Sequence, residues 1–218
     1  MKNKGILIIS SALLACAAMA YIESYLRPVY FIKSILKLSI FMLSIVICGM
    51  KPSDIFGKSE KRPLYASLIL GFLTITAVWG GFALLERYID FSGIVPSLMT
   101  KEGITAATFP IAALYIIFVN SLLEELLFRG LAYIELKKHI IEWVAATFSS
   151  LLFALYHIGI MENWVSLPLT ALSVLSLFCA GWLFCLLDRK GSLIPSQLLH
   201  MSANIALNTV ALKLFGII

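Results

Sequence analysis

The stretch FPIAALYIIFVNSLLEELLFRG, residues 109–130, decides how the rest of the chain is read. It is long and apolar enough to cross a bilayer, which takes about 20 residues. Yet it carries Glu124, Glu125 and Arg129. Each charge held at mid-membrane costs roughly 2.5–3.5 kcal/mol even on the lenient insertion scale, and such residues persist where they face a cavity, a partner or a reaction. Glu125 and Arg129 are four apart, so they share a helix face and can pair. Glu124 points about 100° away and has Phe128, not a cation, at i+4. Two adjacent acids of which one has a partner on its own helix should differ in proton affinity, which sets one carboxylate apart as a general base. Taken alone, the same residues also fit a buried ion pair beside a protonated glutamate that serves packing only.

Working outward, composition points the same way. Of 218 residues, 61% are hydrophobic and 13% charged, and the mean hydropathy is +0.96. Soluble domains carry about a quarter charged residues. This chain has too little polar surface to cover itself in water, so a bilayer is its expected solvent. The length suits one integral membrane domain over residues 1–218, an all-α polytopic bundle with its site in the bundle core. The net charge of +5 is explained by the placement of membrane loops. No Lys/Arg run is dense enough for a nucleic-acid patch, so no nucleic-acid partner is expected. Cys16, Cys48, Cys179 and Cys185 all lie in apolar runs without metal-like spacing and read as free thiols packed as small apolar residues.

Apolar stretches at residues 5–21, 31–50, 64–85, 109–131, 143–160, 167–187 and 194–215 predict about seven transmembrane helices. A re-entrant or interfacial eighth piece fits residues 92–108, which contain Gly93, Pro96 and Gly103. The first stretch has a rival reading. Lys2 and Lys4 before an apolar run, with small residues around Cys16, resemble a cleaved signal; the spans that follow favour a first membrane helix. Loop charges orient the bundle. One set of connections holds Lys2, Lys4, Lys51, Lys58, Lys61, Arg62, Lys137, Lys138, Arg189 and Lys190, and the other holds Arg27, Arg87 and Lys101. That asymmetry puts the N-terminus in the cytoplasm of a multi-pass protein, with the cell membrane as the expected location. Lys33 and Lys37, in the first turns of the second span, are expected to snorkel to the outer interface.

Two histidines join the acidic pair. His157 follows Phe153 by four residues in the fifth span, and Asn204 follows His200 by four in the last. Each i, i+4 pair shares a face, and polar residues so deep in apolar sequence should face the bundle interior. His139, beside Lys137 and Lys138, reads as interfacial with no catalytic part. Depth is a check on this constellation. If the fourth helix ended near Leu131, Glu124 would lie only ~10 Å from that end, and His157 ~20 Å from its own. Residues 132–138 contain no helix breaker, and one continuous helix to about Lys138 would bring Glu124 to ~20 Å as well.

Glu124-Glu125 with Arg129, Phe153 with His157, and His200 with Asn204 resemble the EExxxR, FxxxH and HxxxN motifs of the CPBP (Abi) family of intramembrane proteases, which includes the type II CAAX prenyl endopeptidases. The resemblance covers about residues 109–212, the motif-bearing core; the first three spans match by hydropathy only. It implies peptide-bond hydrolysis in the membrane. Glu124 looks like the base that activates water, His157 like its partner, and His200 with Asn204 like the group that binds the attacked carbonyl oxygen. Glu125, Arg129 and Phe153 look like support. No cofactor is expected. If a metal is present, Glu124, His157 and His200 would hold it and zinc is the ion such a set takes, although the chain has no HExxH. The expected partners are the lipid bilayer and a membrane-anchored protein or peptide as substrate; the oligomeric state stays open. Two other classes use the same residues: a non-proteolytic immunity or binding protein of this fold, and a small proton-coupled transporter with a Glu/His relay.

Overall fold

The computed structural model of the protein describes residues 2–51, 53, 55–57, 59–161 and 164–218; Lys58, counted above among the loop charges, lies outside them, as does the Lys2 side chain. Among the described residues the fold is all-helical, with no strand. The elements are α1 (Lys2–Tyr21), α2 (Tyr30–Ile47), α3 (Lys61–Leu85), α4 (Ile94–Glu102), α5 (Phe109–Lys138), α6 (Glu142–Tyr156), α7 (Leu167–Leu187) and α8 (Ile194–Leu214). Each apolar stretch read from the sequence holds one of these helices, although those in 31–50 and 143–160 end at Ile47 and Tyr156. Among the described residues five helices are long and apolar enough to cross a membrane: Asn3–Leu26, Tyr30–Ile47, Lys61–Leu85, Phe109–Lys138 and Leu167–Leu187. The protein is an integral membrane protein.

The two remaining stretches depart from the expected spans for different reasons. Helix α6 has 15 residues, ~22 Å long, which is short of the roughly 30 Å hydrocarbon core. It stops at Tyr156, and His157 caps it with its backbone N–H on Ala154 O at 3.2 Å. Helix α8 has the length, at 21 residues, but falls outside those five; it spends its positions on Ser196, Gln197, His200, Ser202, Asn204 and Asn208. Residues 92–108 contain the short helix α4, closed by Gly103 in the left-handed conformation at φ +67°, where a Cβ would be strained.

Helix α5 runs unbroken from Phe109 to Lys138, as the depth argument requires. Pro110 sits in its first turn, where a missing N–H leaves no intrahelical bond unmade. The helix is not uniform. A short α-helical turn, Ser121–Glu125, lies between wider π-helical segments at Ile116–Asn120 and Leu126–Glu135. Such widened turns re-aim side chains and gather at functional sites.

Lipid tails are as apolar as leucine, so packing and polar contacts, not water exclusion, hold membrane helices together. Leu127, Phe128, Leu131 and Ala132 of α5 are fully buried, and Phe128 stacks edge-on against Phe41 of α2 and Phe153 of α6. Helix α3 lies against α8. Helices α6 and α7 meet at Gly181, where an added Cβ would lie 2.9 Å from the Ser150 Cα. Backbone cannot yield there as a flexible side chain does. Gly181→Ala is therefore expected to push the two helices apart and destabilise the protein by roughly 1–3 kcal/mol, measured by denaturant unfolding in detergent.

Ion pairs tie both ends. At the end that carries Lys4, Glu135 bonds Lys4 at 2.8 Å and Lys138 at 2.6 Å, with His139 at 3.8 Å, and Arg189 bonds Glu142 at 3.1 Å. At the opposite end Lys213 meets Glu86, and Lys33 meets Glu23 and Glu102, each at 2.7 Å. This corrects the snorkelling expectation. Lys33 and Lys37 are 7% and 5% exposed; each turns inward because an acidic partner inside the protein replaces the interface it would otherwise seek.

Candidate active site

Four helices bring the polar residues together. Glu124 and Glu125 come from the α-helical turn of α5, His157 from the residue that ends α6, His200 from α8, and Lys37 from α2. Because α5 runs on to Lys138, Glu124 and His157 reach the same depth. Glu124 is 2% exposed, Glu125 and Arg129 are 0%.

The two oxygens of Glu124 have different surroundings. Oε1 accepts from Lys37 Nζ at 2.5 Å and from Asn120 Nδ2 at 3.0 Å. Oε2 lies 3.7 Å from His157 Nε2 and 3.6 Å from His200 Nε2. Both separations exceed a direct hydrogen bond and suit a small polar group shared between the three. The other ring nitrogens are fixed. His157 Nδ1 lies 2.7 Å from the Phe153 carbonyl oxygen, and His200 Nδ1 lies 2.8 Å from Glu125 Oε1. A carbonyl and a carboxylate only accept, so each Nδ1 carries the proton and each Nε2 is turned toward Glu124.

The expected pairing of Glu125 with Arg129 is present at 3.4 Å. His200 adds what helix spacing could not reveal: it touches both glutamates, one with each nitrogen. Phe153 has two roles. Its carbonyl holds His157, and its ring faces the Arg129 guanidinium, whose central carbon is 4.2 Å from the ring centroid; Phe184 of α7 faces the same group at 4.6 Å. Such contacts contribute about 2 kcal/mol or more when desolvated, and with Glu125 they offset the burial of a charge. Asn204 stands one turn from His200, and its Nδ2 donates to Ile116 O at 3.2 Å, in the first widened segment of α5. It forms no hydrogen bond to the glutamates or histidines. Gln197, one turn the other way, donates to Ser121 Oγ at 2.9 Å.

Lys37, Asn120 and Phe184 escaped the sequence reading as site residues. Asn120 had a readable signal, since it precedes Glu124 by four residues. Lys37 and Phe184 had none, because their partners lie on other helices. The statement that Glu124 lacks a cation holds only within α5; α2 supplies one.

A polytopic helical membrane protein with a carboxylate–histidine cluster buried among its helices is the class that this fold and this geometry define. Residues 106–206, slightly less than half of the chain, match the Rce1-like family model, described as type II CAAX prenyl endopeptidase Rce1-like. Over that segment the chain is similar to this family of proteases, and its EExxxR, FxxxH and HxxxN motifs all lie within the matched residues. Comparison with curated proteins and with solved structures gives no match.

Proposed function

We propose that the protein is an intramembrane endopeptidase that hydrolyses a peptide bond of a membrane-associated or lipid-anchored protein with water activated by Glu124. The observation that carries the reading is the convergence of Glu124 Oε2 with the Nε2 atoms of His157 and His200, at 3.7 and 3.6 Å, from three helices. Water held between them gives a proton to Oε2 as its oxygen bonds to the carbonyl carbon. The carbonyl electrons move to oxygen, where Asn204 and, in its doubly protonated form, His200 are the donors assigned to the developing charge. Collapse breaks the C–N bond, and Glu124 returns the proton to the leaving nitrogen. One water is consumed; a carboxylic acid and an amine are released. Glu125, Arg129 and Phe153 hold the histidines in place.

The family's name makes a prenylated C-terminal segment the first substrate class to test; a bacteriocin-type peptide or a C-terminal sorting tail is the alternative. The N-terminus is assigned to the cytoplasm, on the side of the Lys4 cluster. The steps are written with water and Glu124 alone; if a metal is present, Glu124, His157 and His200 would hold it, and zinc is the ion such a set takes. Dialysis against a chelator is expected to leave hydrolysis unchanged; loss that added zinc restores would assign the reaction to a metal.

The direct test compares membrane proteomes of cells carrying the wild type or Glu124→Gln. A membrane protein that accumulates uncut with the variant names the substrate. Identical proteomes, with a proton flux lost in the variant, would replace the protease reading with the transporter.

A further inference from the structure

The carboxylate of Glu124 presents Oε2 to the histidines, and among the described residues of the motif-bearing core Asn120 alone bonds the other oxygen. The second partner of that oxygen lies outside the core, on α2. Lys37 Nζ donates to Glu124 Oε1 at 2.5 Å and to Asn120 Oδ1 at 2.6 Å, and Asn120 Nδ2 returns a bond to the same Oε1 at 3.0 Å. The three groups form a closed ring. An ammonium only donates and a carboxylate only accepts, so the orientation of the Asn120 amide follows. The ammonium also lies 5.4 Å from the Phe41 ring centroid and 4.9 Å from that of Tyr156. Tyr156 is the residue before His157, so Lys37 touches the element that carries the second site residue as well. Lys33, one turn earlier, pairs instead with Glu23 and Glu102; the two lysines are separate devices, not one basic patch.

We infer that Lys37 is a positioning residue for Glu124: its ammonium occupies Oε1, keeps the carboxylate charged, and so turns Oε2 toward His157 and His200. The inference rests on the reading of Glu124 as the general base. The physical reason is the expense of an isolated buried charge. A carboxylate stripped of its counter-ion in such a place costs several kcal/mol and escapes the penalty by taking up a proton. A protonated Glu124 accepts no proton from water. Lys37 thereby governs whether the base is in its working state without itself touching the reacting atoms.

The test uses the full chain in liposomes and has two arms. In the first, infrared difference spectra at neutral pH compare wild type, Lys37→Met and Lys37→Met with Glu124→Gln. The single variant is expected to gain the carbonyl stretch of a protonated carboxylic acid, and the double variant to lack it. In the second, a farnesylated, fluorogenic CAAX peptide in the same liposomes is hydrolysed with kcat lowered about 100-fold or more in Lys37→Met and KM changed by less than about threefold, whereas Lys37→Arg keeps the charge and recovers at least about a tenth of the rate. If Lys37→Met does not fold, Lys37→Gln takes its place; it keeps a donor near Oε1 without the charge. Coincident spectra of wild type and variant overturn the inference whatever the rates do. The expected spectra with a wild type that hydrolyses no CAAX peptide uphold the ion pair and count against a prenylated substrate, whereas a folded Glu124→Gln protein that hydrolyses at the wild-type rate counts against the base assignment, so the failures are distinct.

Discussion

Glu124→Gln is expected to lower peptide hydrolysis roughly 10²–10⁴-fold while leaving the protein folded. The substitution is nearly isosteric. The amide oxygen can still accept from Lys37 and Asn120 where Oε1 does now. The amide N–H groups can donate to the Nε2 atoms of His157 and His200, both of which have their protons on Nδ1. The site is thus kept in shape and loses one property, the ability to take a proton from water. The measurement is kcat on the substrate that accumulates in the variant's membrane proteome, alongside the elution volume and unfolding midpoint of the purified variant. A folded Glu124→Gln protein that hydrolyses at the wild-type rate would remove Glu124 from the mechanism.

The second large effect is on stability. Arg129→Ala is expected to destabilise the protein by roughly 3–5 kcal/mol, the usual loss when one partner of a buried ion pair is deleted. Glu125 and Arg129 are fully buried, 3.4 Å apart. Without the guanidinium, Glu125 keeps His200 and Ser196 as polar neighbours but no fixed cation, and the faces of Phe153 and Phe184 that now enclose the cation line a hole. Arg129→Met with Glu125→Gln should recover a large part of the loss, because a flexible apolar chain fills that space and no unpaired charge remains. Denaturant unfolding in detergent for the two single variants and the double variant gives the coupling between the sites. A loss under about 1 kcal/mol for Arg129→Ala would mean that the guanidinium is not what compensates Glu125.

These effects show which parts of the site were legible in the sequence. The membrane environment followed from composition, and Glu125–Arg129 from helical spacing. The length of α5 followed from a depth argument: no breaker lies between Leu131 and Lys138, and Glu124 could not otherwise reach His157. The end of α6 was not legible. Residues 157–160 are apolar enough to continue a helix, apart from Gly159, and the turn that halts it at His157 belongs to the tertiary arrangement. Phe153 was named as support without a reason; the reason is a ring face against Arg129 together with a carbonyl that holds His157.

Lys37 marks the limit most sharply. By itself the sequence determined the helices, their apolar faces, and the residues four apart that must share a face, because 3.6 residues per turn allows no other outcome. It placed Glu124, His157 and His200 in separate helices without saying how far apart they stand. Only the tertiary structure decided that Lys37 turns inward rather than to the interface, that His200 touches both glutamates, and that Asn204 bonds the backbone of α5. Those facts depend on distances between helices, and such distances are set by packing of whole faces rather than by the local period of any one of them.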